Sequence, residues 1–328
     1  MCGIMGYIGA GEAVPVIIDG LSKLEYRGYD SAGIAIHQEA GLQITKKKGR
    51  LTELVQCLGN MPSSHLGIGH TRWATHGVPS DRNAHPHTDC SGRVALVHNG
   101  IIENYAGLRK DLMLEGHDFI SDTDTEVIAH LIEKFYNSSL EAAVREALKH
   151  LHGSFAIAVV SADEPDKIIA AKKDSPLVVG LGEGENYLAS DIPAILGKTS
   201  QVYIIEDGEF VILQKDAVAI SDFNGQPIKK EIFPVTWDPV AAEKGGYEHF
   251  MLKEIHEQPT ALRETMRGNI KGQMVDLSHL DLDEMFKDIE KIYIVACGTA
   301  YHAGLVGCYA LEKLAHIPVE TDIASEFR

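Results

Sequence analysis

Short apolar runs typical of β-strands follow one another from Gly3 to about Asp222, and only a few amphipathic helical stretches separate them. This pattern indicates a mixed α+β domain, because a parallel sheet would show a regular alternation of strand and helix. The predicted strands are 4–8, 32–37, 66–70, 94–98, 155–161, 167–171, 177–181 and 203–205. The predicted helices are 14–25, 103–115, 124–136 and 140–151.

A change of composition separates this region from the rest of the chain. Residues 234–246 read PVTWDPVAAEKGG, and their prolines and paired glycines interrupt both periodicities. Beyond them, a helix over 249–266 is followed by a strand over 291–296, a helix over 301–314 and a strand over 319–321, which together form the opening of a parallel β–α–β unit. We therefore predict domains at 1–233 and 247–328, joined by a linker at 234–246.

The composition excludes several kinds of partner. Among 328 residues, 30 Lys and Arg stand against 47 Asp and Glu, giving a formal net charge of -17. A field of this sign repels nucleic acid and anionic lipid. The apolar runs are far shorter than the ~20 residues of a membrane-spanning helix, no secretory signal opens the chain, and the five cysteines contain no CxxC pair. We expect a soluble, cytoplasmic protein that binds neither nucleic acid nor membrane.

Cys2 is the candidate nucleophile. Removal of Met1 would leave a thiol and a free α-amine on one residue. An α-amine has a pKa of ~7.7 to 8.0, close enough to neutrality to take a proton from a thiol or a water without a separate histidine. Gly3 and Gly6 follow, and glycine lets a strand pass close to other backbone. The alternative is a cysteine that merely follows the initiator methionine.

Three further positions have two interpretations each. The dipeptide Asn99-Gly100 follows a predicted strand, where it is either a tight hairpin turn or an oxyanion hole that uses the Asn99 amide and the Gly100 N–H. Arg72 is either a carboxylate ligand in a loop or a surface arginine paired with an acid. Asp124 is either a ligand for an ammonium group or, like Thr123, a helix cap.

The histidines do not form a recognisable metal motif. Five of them lie close together in the sequence, at positions 70, 76, 85, 87 and 98. Their spacing matches neither HExxH nor a Cys/His zinc finger, so we expect no metal site and no cofactor. The glycines of 180–184 precede a strand-like segment rather than a helix, which indicates a hairpin turn instead of a dinucleotide loop.

A series of motifs in fixed order resembles the isomerising glutamine–fructose-6-phosphate aminotransferases, also called glucosamine-6-phosphate synthases. In the first domain these motifs are CGI at 2–4, LEYRGYDSAG at 24–33, HTRWATHG at 70–77, NAHPH at 83–87, HNGIIEN at 98–104 and DTDTE at 122–126. In the second they are KEI at 253–255, EQP at 257–259, ACGT at 296–299 and ASEFR at 324–328. The resemblance spans the whole chain.

The resemblance implies an N-terminal-nucleophile (Ntn) hydrolase domain, an αββα sandwich that acts as a class II glutaminase. Cys2 would be the catalytic nucleophile and Asn99 with Gly100 the oxyanion hole. Arg72 would bind the glutamine α-carboxylate, Asp124 its α-amine, and Trp73 would gate ammonia towards the second domain. The remaining matched positions are Arg27 near the nucleophile, Thr75 and His76 in the same loop, and His85, whose role is open.

The second domain resembles the start of a doubly wound α/β sugar isomerase (SIS) domain. Thr299 falls where this family places a sugar-phosphate ligand, and Ala300 replaces a serine that is frequent in relatives. The family's later phosphate loop, its acid-base residues and its Schiff-base lysine would lie beyond Arg328, so this chain is expected to be incomplete and a glutaminase only.

The resemblance also implies the reaction. Cys2 would release ammonia from L-glutamine through a thioester, and the full-length enzyme, a homodimer through its isomerase domain, would pass the ammonia to fructose 6-phosphate to make glucosamine 6-phosphate for UDP-N-acetylglucosamine biosynthesis. Two alternatives stay open. One is another class II amidotransferase, of the phosphoribosylpyrophosphate or asparagine synthetase type, and the other is a non-catalytic sugar-phosphate-binding module.

Overall fold

The chain divides into two compact units, Met1–Phe250 and Met251–Arg328, which we describe separately. The computed structural model describes residues 2–59, 63–236, 247–266, 269–271, 274–275 and 289–327. Most of the predicted linker, residues 237–246, lies outside the described residues. The domain boundaries at 233 and 247 therefore stay a prediction.

Fourteen described strands and five α-helices make up the first unit. The strands are β1 (Gly3–Gly9), β2 (Ser31–Gln38), β3 (Gly41–Lys48), β4 (Leu66–Arg72), β5 (His87–Thr88), β6 (Val94–Ile102), β7 (Gly153–Ser161), β8 (Ile168–Lys173), β9 (Val178–Leu181), β10 (Glu185–Ala189), β11 (Gln201–Ile204), β12 (Glu209–Leu213), β13 (Val218–Asp222) and β14 (Phe233–Pro234). The helices are α1 (Ala13–Ser22), α2 (Leu51–Leu58), α3 (Tyr105–Leu114), α4 (Glu126–Phe135) and α5 (Leu140–Leu148), with short 3-10 turns at Glu25–Arg27 and Ile192–Ala194.

The strands form two antiparallel sheets. The eight-stranded sheet has the order β14-β11-β9-β10-β1-β4-β2-β3, and the six-stranded sheet has the order β13-β12-β8-β7-β6-β5. Strand β1 lies in the middle of its sheet, where β10 and β4 both pair with it in antiparallel register. The residue before β1 is therefore placed at the end of a central strand, between two neighbours.

Three apolar clusters define four layers. The cluster that contains Ile4 and Ile68 of one sheet and Val97 and Ala158 of the other fills the space between the two sheets. A second cluster packs α1 and α2 on the outer face of the eight-stranded sheet, and a third packs α4 and α5 on the outer face of the six-stranded sheet. Alternate residues of each strand are thus buried on opposite faces. This arrangement confirms the predicted αββα sandwich.

Small residues permit the close approach of α1 to the sheet. A Cβ added to Gly69 in β4 would lie 2.5 Å from Cγ2 of Ile17 in α1, and one added to Gly67 would lie 2.9 Å from Cδ1 of the same side chain. Glycine in a strand often marks such a contact. The helix layer therefore depends on these two glycines.

The second unit contains a parallel β–α–β motif. Its described elements are α6 (Phe250–Met266), β15 (Ile270–Lys271), β16 (Met274–Val275), β17 (Ile292–Ala296), α7 (Gly298–Ala315) and β18 (Val319–Ile323). Strands β17 and β18 pair in parallel, with Ile292 opposite Val319. This pairing and the long intervening helix agree with the unit predicted from the sequence.

Two local predictions were wrong. Helix α4 begins at Glu126, and neither Thr123 nor Asp124 caps it; the Asp124 carboxylate instead accepts a hydrogen bond from the Ile102 N–H at 2.8 Å. Asn99-Gly100 does not form a hairpin turn, because β6 continues to Ile102 and pairs with β7 along its whole length. The predicted turn at 180–184 does connect two antiparallel strands, β9 and β10. Among the described helices, none is long and apolar enough to cross a bilayer.

Candidate active site

Cys2 lies directly before β1, beside the end of β4. In the antiparallel register Gly3 is opposite Thr71, so Cys2 faces the residues that follow Thr71. The Trp73 N–H donates a hydrogen bond to Sγ of Cys2 at 3.2 Å. Burial raises the pKa of the Cys2 thiol, and the Trp73 N–H opposes this effect because it stabilises a thiolate. The pairing of two strands therefore places a nucleophile next to a backbone donor.

Two side chains hold the main-chain carbonyl oxygen of Cys2. Arg27 donates to it from Nε and Asn99 from Nδ2, each at 3.1 Å. Arg27 is buried and forms an ion pair of 2.9 Å with Asp191. Arg27 therefore fixes the backbone of the nucleophile rather than reaching the thiol.

The orientation of the Asn99 amide is determined by its partners. Nε2 of His70 lies 3.0 Å from Oδ1 of Asn99 and 3.1 Å from the His98 carbonyl oxygen, so both contacts require Nε2 to donate. The opposite end of the amide, Nδ2, donates to Oγ of Ser190 at 3.0 Å. Burial lowers the pKa of His70 to about 3, which keeps the ring neutral at physiological pH. A neutral histidine thus aims the Asn99 N–H groups at Cys2 and Ser190.

Arg72 offers an unsatisfied donor to the same cavity. Its side chain is 4% exposed, and Nη2 donates to the carbonyl oxygens of His76 and Gly77. Nη1 is buried without any hydrogen-bond partner in the described structure. A buried unpaired guanidinium nitrogen is costly unless a ligand satisfies it. Burial lowers the pKa of Arg72, yet the group stays charged in proteins.

Asp124 supplies the opposite charge. It is 3% exposed, and while Oδ2 accepts from Ile102, Oδ1 has only Nδ1 of His76 nearby, at 3.8 Å. That distance is too long for a hydrogen bond. Asp124 therefore retains an acceptor that faces the cavity.

These residues line one cavity of about 280 Å³, close to the lower limit of common small-molecule sites. Of the predicted site residues, nine line it: Cys2, Arg27, Arg72, Trp73, Thr75, His85, Asn99, Gly100 and Asp124. His76 lies behind Arg72 and Asp124 through the contacts given above. Thr299 belongs to the second unit, in the first turn of α7.

Gly100 occupies a position that only glycine fits. Its φ is +132°, and a Cβ added to it would lie 2.0 Å from the Ser154 carbonyl oxygen in β7. Both observations require glycine, since L side chains rarely adopt this conformation and the neighbouring atom is backbone. The Gly100 backbone is thus pressed against β7 at the cavity wall.

His85 and His98 are buried hydrogen-bonding groups. Nδ1 of His85 accepts from the His98 N–H at 3.2 Å, and Nδ1 of His98 lies 2.9 Å from Oγ1 of Thr125. Burial lowers the pKa of both rings, that of His85 well below its ordinary value. Stacking of His70 on His85, with ring centroids 4.1 Å apart, completes the cluster. These neutral rings order the wall around Asn99 and Thr125.

Several residues of the site were missed by the sequence analysis. The cavity is also lined by His98, Ile101, Thr125, Ser154, Ser175 and Pro176, and Ser190 supports Asn99 from outside. Ser190 also accepts the Ile4 N–H at 2.6 Å across 186 residues of sequence. Such separations leave no local pattern, so no signal in the sequence marks this serine.

Comparison with known proteins agrees with this arrangement. The sequence model of the glutamine amidotransferase domain matches residues 70–197. The chain is similar in fold to glutamine phosphoribosylpyrophosphate amidotransferase from B. subtilis complexed with ADP and GMP, with a TM-score of 0.61, 22% identity, and coverage of 98% of this chain and 65% of that one. The α+β fold of that class of protein is thereby confirmed.

Much higher identity is found with curated glutamine–fructose-6-phosphate aminotransferases [isomerizing]. The protein from Clostridium tetani is 56% identical and that from Symbiobacterium thermophilum 57% identical, in both cases over all of this chain and 54% of the relative. The chain thus spans about half the length of the curated relatives that it matches. It carries a glutamine amidotransferase domain and belongs, over this half, to the isomerizing glutamine–fructose-6-phosphate aminotransferases, as its motifs predict.

Proposed function

We propose that the cavity binds L-glutamine and that Cys2 hydrolyses its side-chain amide to glutamate and ammonia. One observation carries the proposal: the unpaired, buried Nη1 of Arg72 lies in the same cavity as the Cys2 thiol and the free Oδ1 of Asp124. A cation and an anion side by side are complementary to the α-carboxylate and α-ammonium groups of an amino acid. The side chain of that amino acid is then directed at Cys2.

The chemistry follows the order of proton and bond transfers. After removal of Met1, the Cys2 α-amine takes the thiol proton, and the thiolate attacks the amide carbon of glutamine. The tetrahedral oxyanion is stabilised by the Asn99 amide and the Gly100 N–H, and its collapse breaks the C–N bond and expels ammonia with the proton from the α-amine. Water then hydrolyses the thioester to glutamate and regenerates the thiol.

Substrate binding has to rearrange Asn99. Both N–H groups of its amide are engaged, one by the Cys2 carbonyl and one by Ser190. Contact with an oxyanion therefore exchanges one of these bonds for a stronger one to a full negative charge. Thr75, His76 and His85 support the substrate pocket, and Arg27 positions the nucleophile.

Ammonia release by the purified chain tests the proposal. Wild type and Cys57→Ser, which changes an exposed cysteine, should release ammonia and glutamate from glutamine, whereas Cys2→Ala should release none. A residue fixed ahead of Cys2 should also abolish turnover, because it converts the α-amine into an amide. Normal turnover by Cys2→Ala would remove Cys2 from the reaction.

In the whole protein we propose that the ammonia is transferred to fructose 6-phosphate, with Trp73 as the gate, to give glucosamine 6-phosphate in the cytoplasm, without a cofactor. The names of the relatives support this assignment. Thr299 would contact the sugar phosphate from the first turn of α7, where the backbone N–H groups of a helix have no intrahelical partner. Incubation of the chain with both substrates, followed by separate assays of glutamate and amino sugar, tests whether residues 1–328 suffice only for the glutaminase reaction. The homodimer through the isomerase domain and the domain limits 1–233 and 247–328 remain part of this proposal.

The other amidotransferase classes are less well supported. The phosphoribosylpyrophosphate enzyme is 22% identical, against 56% and 57% for the isomerizing aminotransferases. A sugar-phosphate-binding module without catalysis would leave the Cys2 cavity without a purpose. Ammonia release that depends on Cys2 separates these possibilities.

A further inference from the structure

Four side chains outside the proposed active site converge on one point. Cys90 lies between β5 and β6, His117 follows α3, and His130 and Glu133 lie one helical turn apart on α4. Their potential ligand atoms all lie within 4.8 Å of one another. None of the four lines the cavity of Cys2. The cluster brings three segments of chain together.

The distances within the cluster match a tetrahedral metal ion. Sγ of Cys90 lies 3.7 Å from Nδ1 of His117 and 3.5 Å from Nδ1 of His130. Nδ1 of His130 lies 3.3 Å from Oε2 of Glu133. Ligand atoms bound tetrahedrally to Zn²⁺ at ~2.0–2.3 Å stand about 3.3–3.8 Å apart. Only the contact between His117 Nδ1 and Glu133 Oε2, at 2.8 Å, has to lengthen.

The surroundings orient these ligands. The Cys90 N–H donates to Oε2 of Glu133 at 3.2 Å, and the Asp118 N–H donates to Sγ of Cys90 at 3.4 Å. The ring of His130 packs against Phe119 with centroids 4.3 Å apart. The carboxylate, the thiol and the buried imidazole are thus each held in place from outside the cluster.

The far nitrogen of His130 provides an independent observation. Nε2 is buried without a hydrogen-bond partner among the described residues, and it faces Oε1 of Glu126 at 3.8 Å. If Nδ1 carried the proton, the lone pair of Nε2 would face a carboxylate. If a metal occupies Nδ1, the proton lies on Nε2 and points at Glu126, which is the usual arrangement of a carboxylate behind a metal-bound histidine.

We propose that Cys90, His117, His130 and Glu133 form a structural site for one Zn²⁺ ion. Mixed sulfur, nitrogen and oxygen ligands in tetrahedral geometry suit zinc. A thiolate and a carboxylate together neutralise the charge of the ion, and binding releases the proton of the Cys90 thiol. The ion would join the loop between β5 and β6, and the segment after α3, to α4. This site is separate from the histidines that the sequence analysis considered and excluded as ligands.

Cobalt substitution tests the site directly. The full chain is freed of metal with a chelator and titrated with Co²⁺, which gives a thiolate charge-transfer band and visible d–d bands when it is bound tetrahedrally by sulfur. We expect one equivalent of Co²⁺ to bind and to be displaced by Zn²⁺. In Cys90→Ser the thiolate band should disappear, and the affinity should fall by more than the about 10- to 100-fold that changes behind the ligands cost.

Matched variants distinguish this site from other thiols. Cys57→Ser removes another exposed cysteine and should bind Co²⁺ like wild type. His117→Asn should weaken binding as Cys90→Ser does, and Zn²⁺ should raise the melting temperature of wild type but of neither ligand variant. Wild type that binds no Co²⁺, or a thiolate band that persists in Cys90→Ser, would overturn the proposal.

Discussion

The side-chain amide of Asn99 donates a hydrogen bond to the main-chain carbonyl oxygen of Cys2, with 3.1 Å between Nδ2 and O, although 97 residues of sequence separate them. Through this bond the residue proposed to stabilise the oxyanion also determines where the nucleophile begins. The two sheets of the sandwich are thereby connected at the cavity, since β1 belongs to one sheet and β6 to the other. Asn99 is therefore the most informative position to change.

Replacing Asn99 with Ala should lower kcat for glutamine hydrolysis by about 10²- to 10³-fold, the usual effect of removing one oxyanion donor. KM should change little, because Arg72 and Asp124 bind the α-groups of glutamine. Steady-state kinetics measure both quantities. Ser190→Ala, which removes only the second partner of the amide, should lower kcat less. A raised KM with an unchanged kcat would assign Asn99 to substrate binding instead.

Arg72→Lys should raise KM for glutamine. Lysine keeps the charge but cannot both hold the carbonyl oxygens of His76 and Gly77 and present a second nitrogen to a carboxylate. We expect a loss of about 2 kcal/mol, the scale of a hydrogen bond to a charged group, which is about 30-fold in KM. Arg82→Lys changes an exposed arginine that pairs with Asp122 and is the control. Equal KM values for the two variants would exclude Arg72 from the substrate site.

Gly100→Ala should destabilise the first unit by more than about 3 kcal/mol, because the new Cβ meets the Ser154 carbonyl oxygen in addition to the strain of a positive φ. Gly116→Ala is the matched control. Its φ is +98° but no atom lies within 4 Å of the added Cβ, so only the backbone strain of about 1 kcal/mol remains. Urea unfolding measures both changes, and equal losses would show that β7 yields at this point.

The sequence predicted the elements that have a strong apolar period. Helix α4 was expected at 124–136 and observed at Glu126–Phe135, because its buried residues recur at helical spacing on the sheet. Strand β3 (Gly41–Lys48) was missed, since its edge position leaves residues such as Lys46 and Lys47 in a strand without alternation of apolar and polar groups. Edge strands frequently have lysines of this kind.

Side-chain partners were predictable only where they follow strand ends. Cys2 and Arg72 adjoin paired strands, so their proximity follows from the register once β1 and β4 are neighbours. The role of Asp124 depends on the Ile102 N–H, and the support of Asn99 depends on His70 and Ser190, none of which has a local signal. The cluster around Cys90 was missed for the same reason. Its ligands come from three segments whose spacing matches no motif.

The buried histidines should make the stability of the first unit fall in mild acid. Burial lowers the pKa of His70 to about 3, against an ordinary value of 6.5, and lowers that of His87 well below 6.5 as well. Below about pH 6.5 the unfolded chain binds protons that the folded chain does not, so the free energy of unfolding decreases as the pH falls towards 3. Each such ring contributes at most about 1.4 kcal/mol per pH unit.

Urea unfolding between pH 7.5 and 5 measures this slope. His70→Gln should reduce the slope by up to about 1.4 kcal/mol per pH unit, since one protonation site that opposes folding is gone. Leu54→Ala provides the control, because it removes a buried side chain without a titrating group and should lower the free energy of unfolding equally at every pH. Stability that stays constant from pH 7.5 to 5 in wild type would mean that the folded state binds these protons as readily as the unfolded chain, and that His70 does not remain neutral beside Asn99.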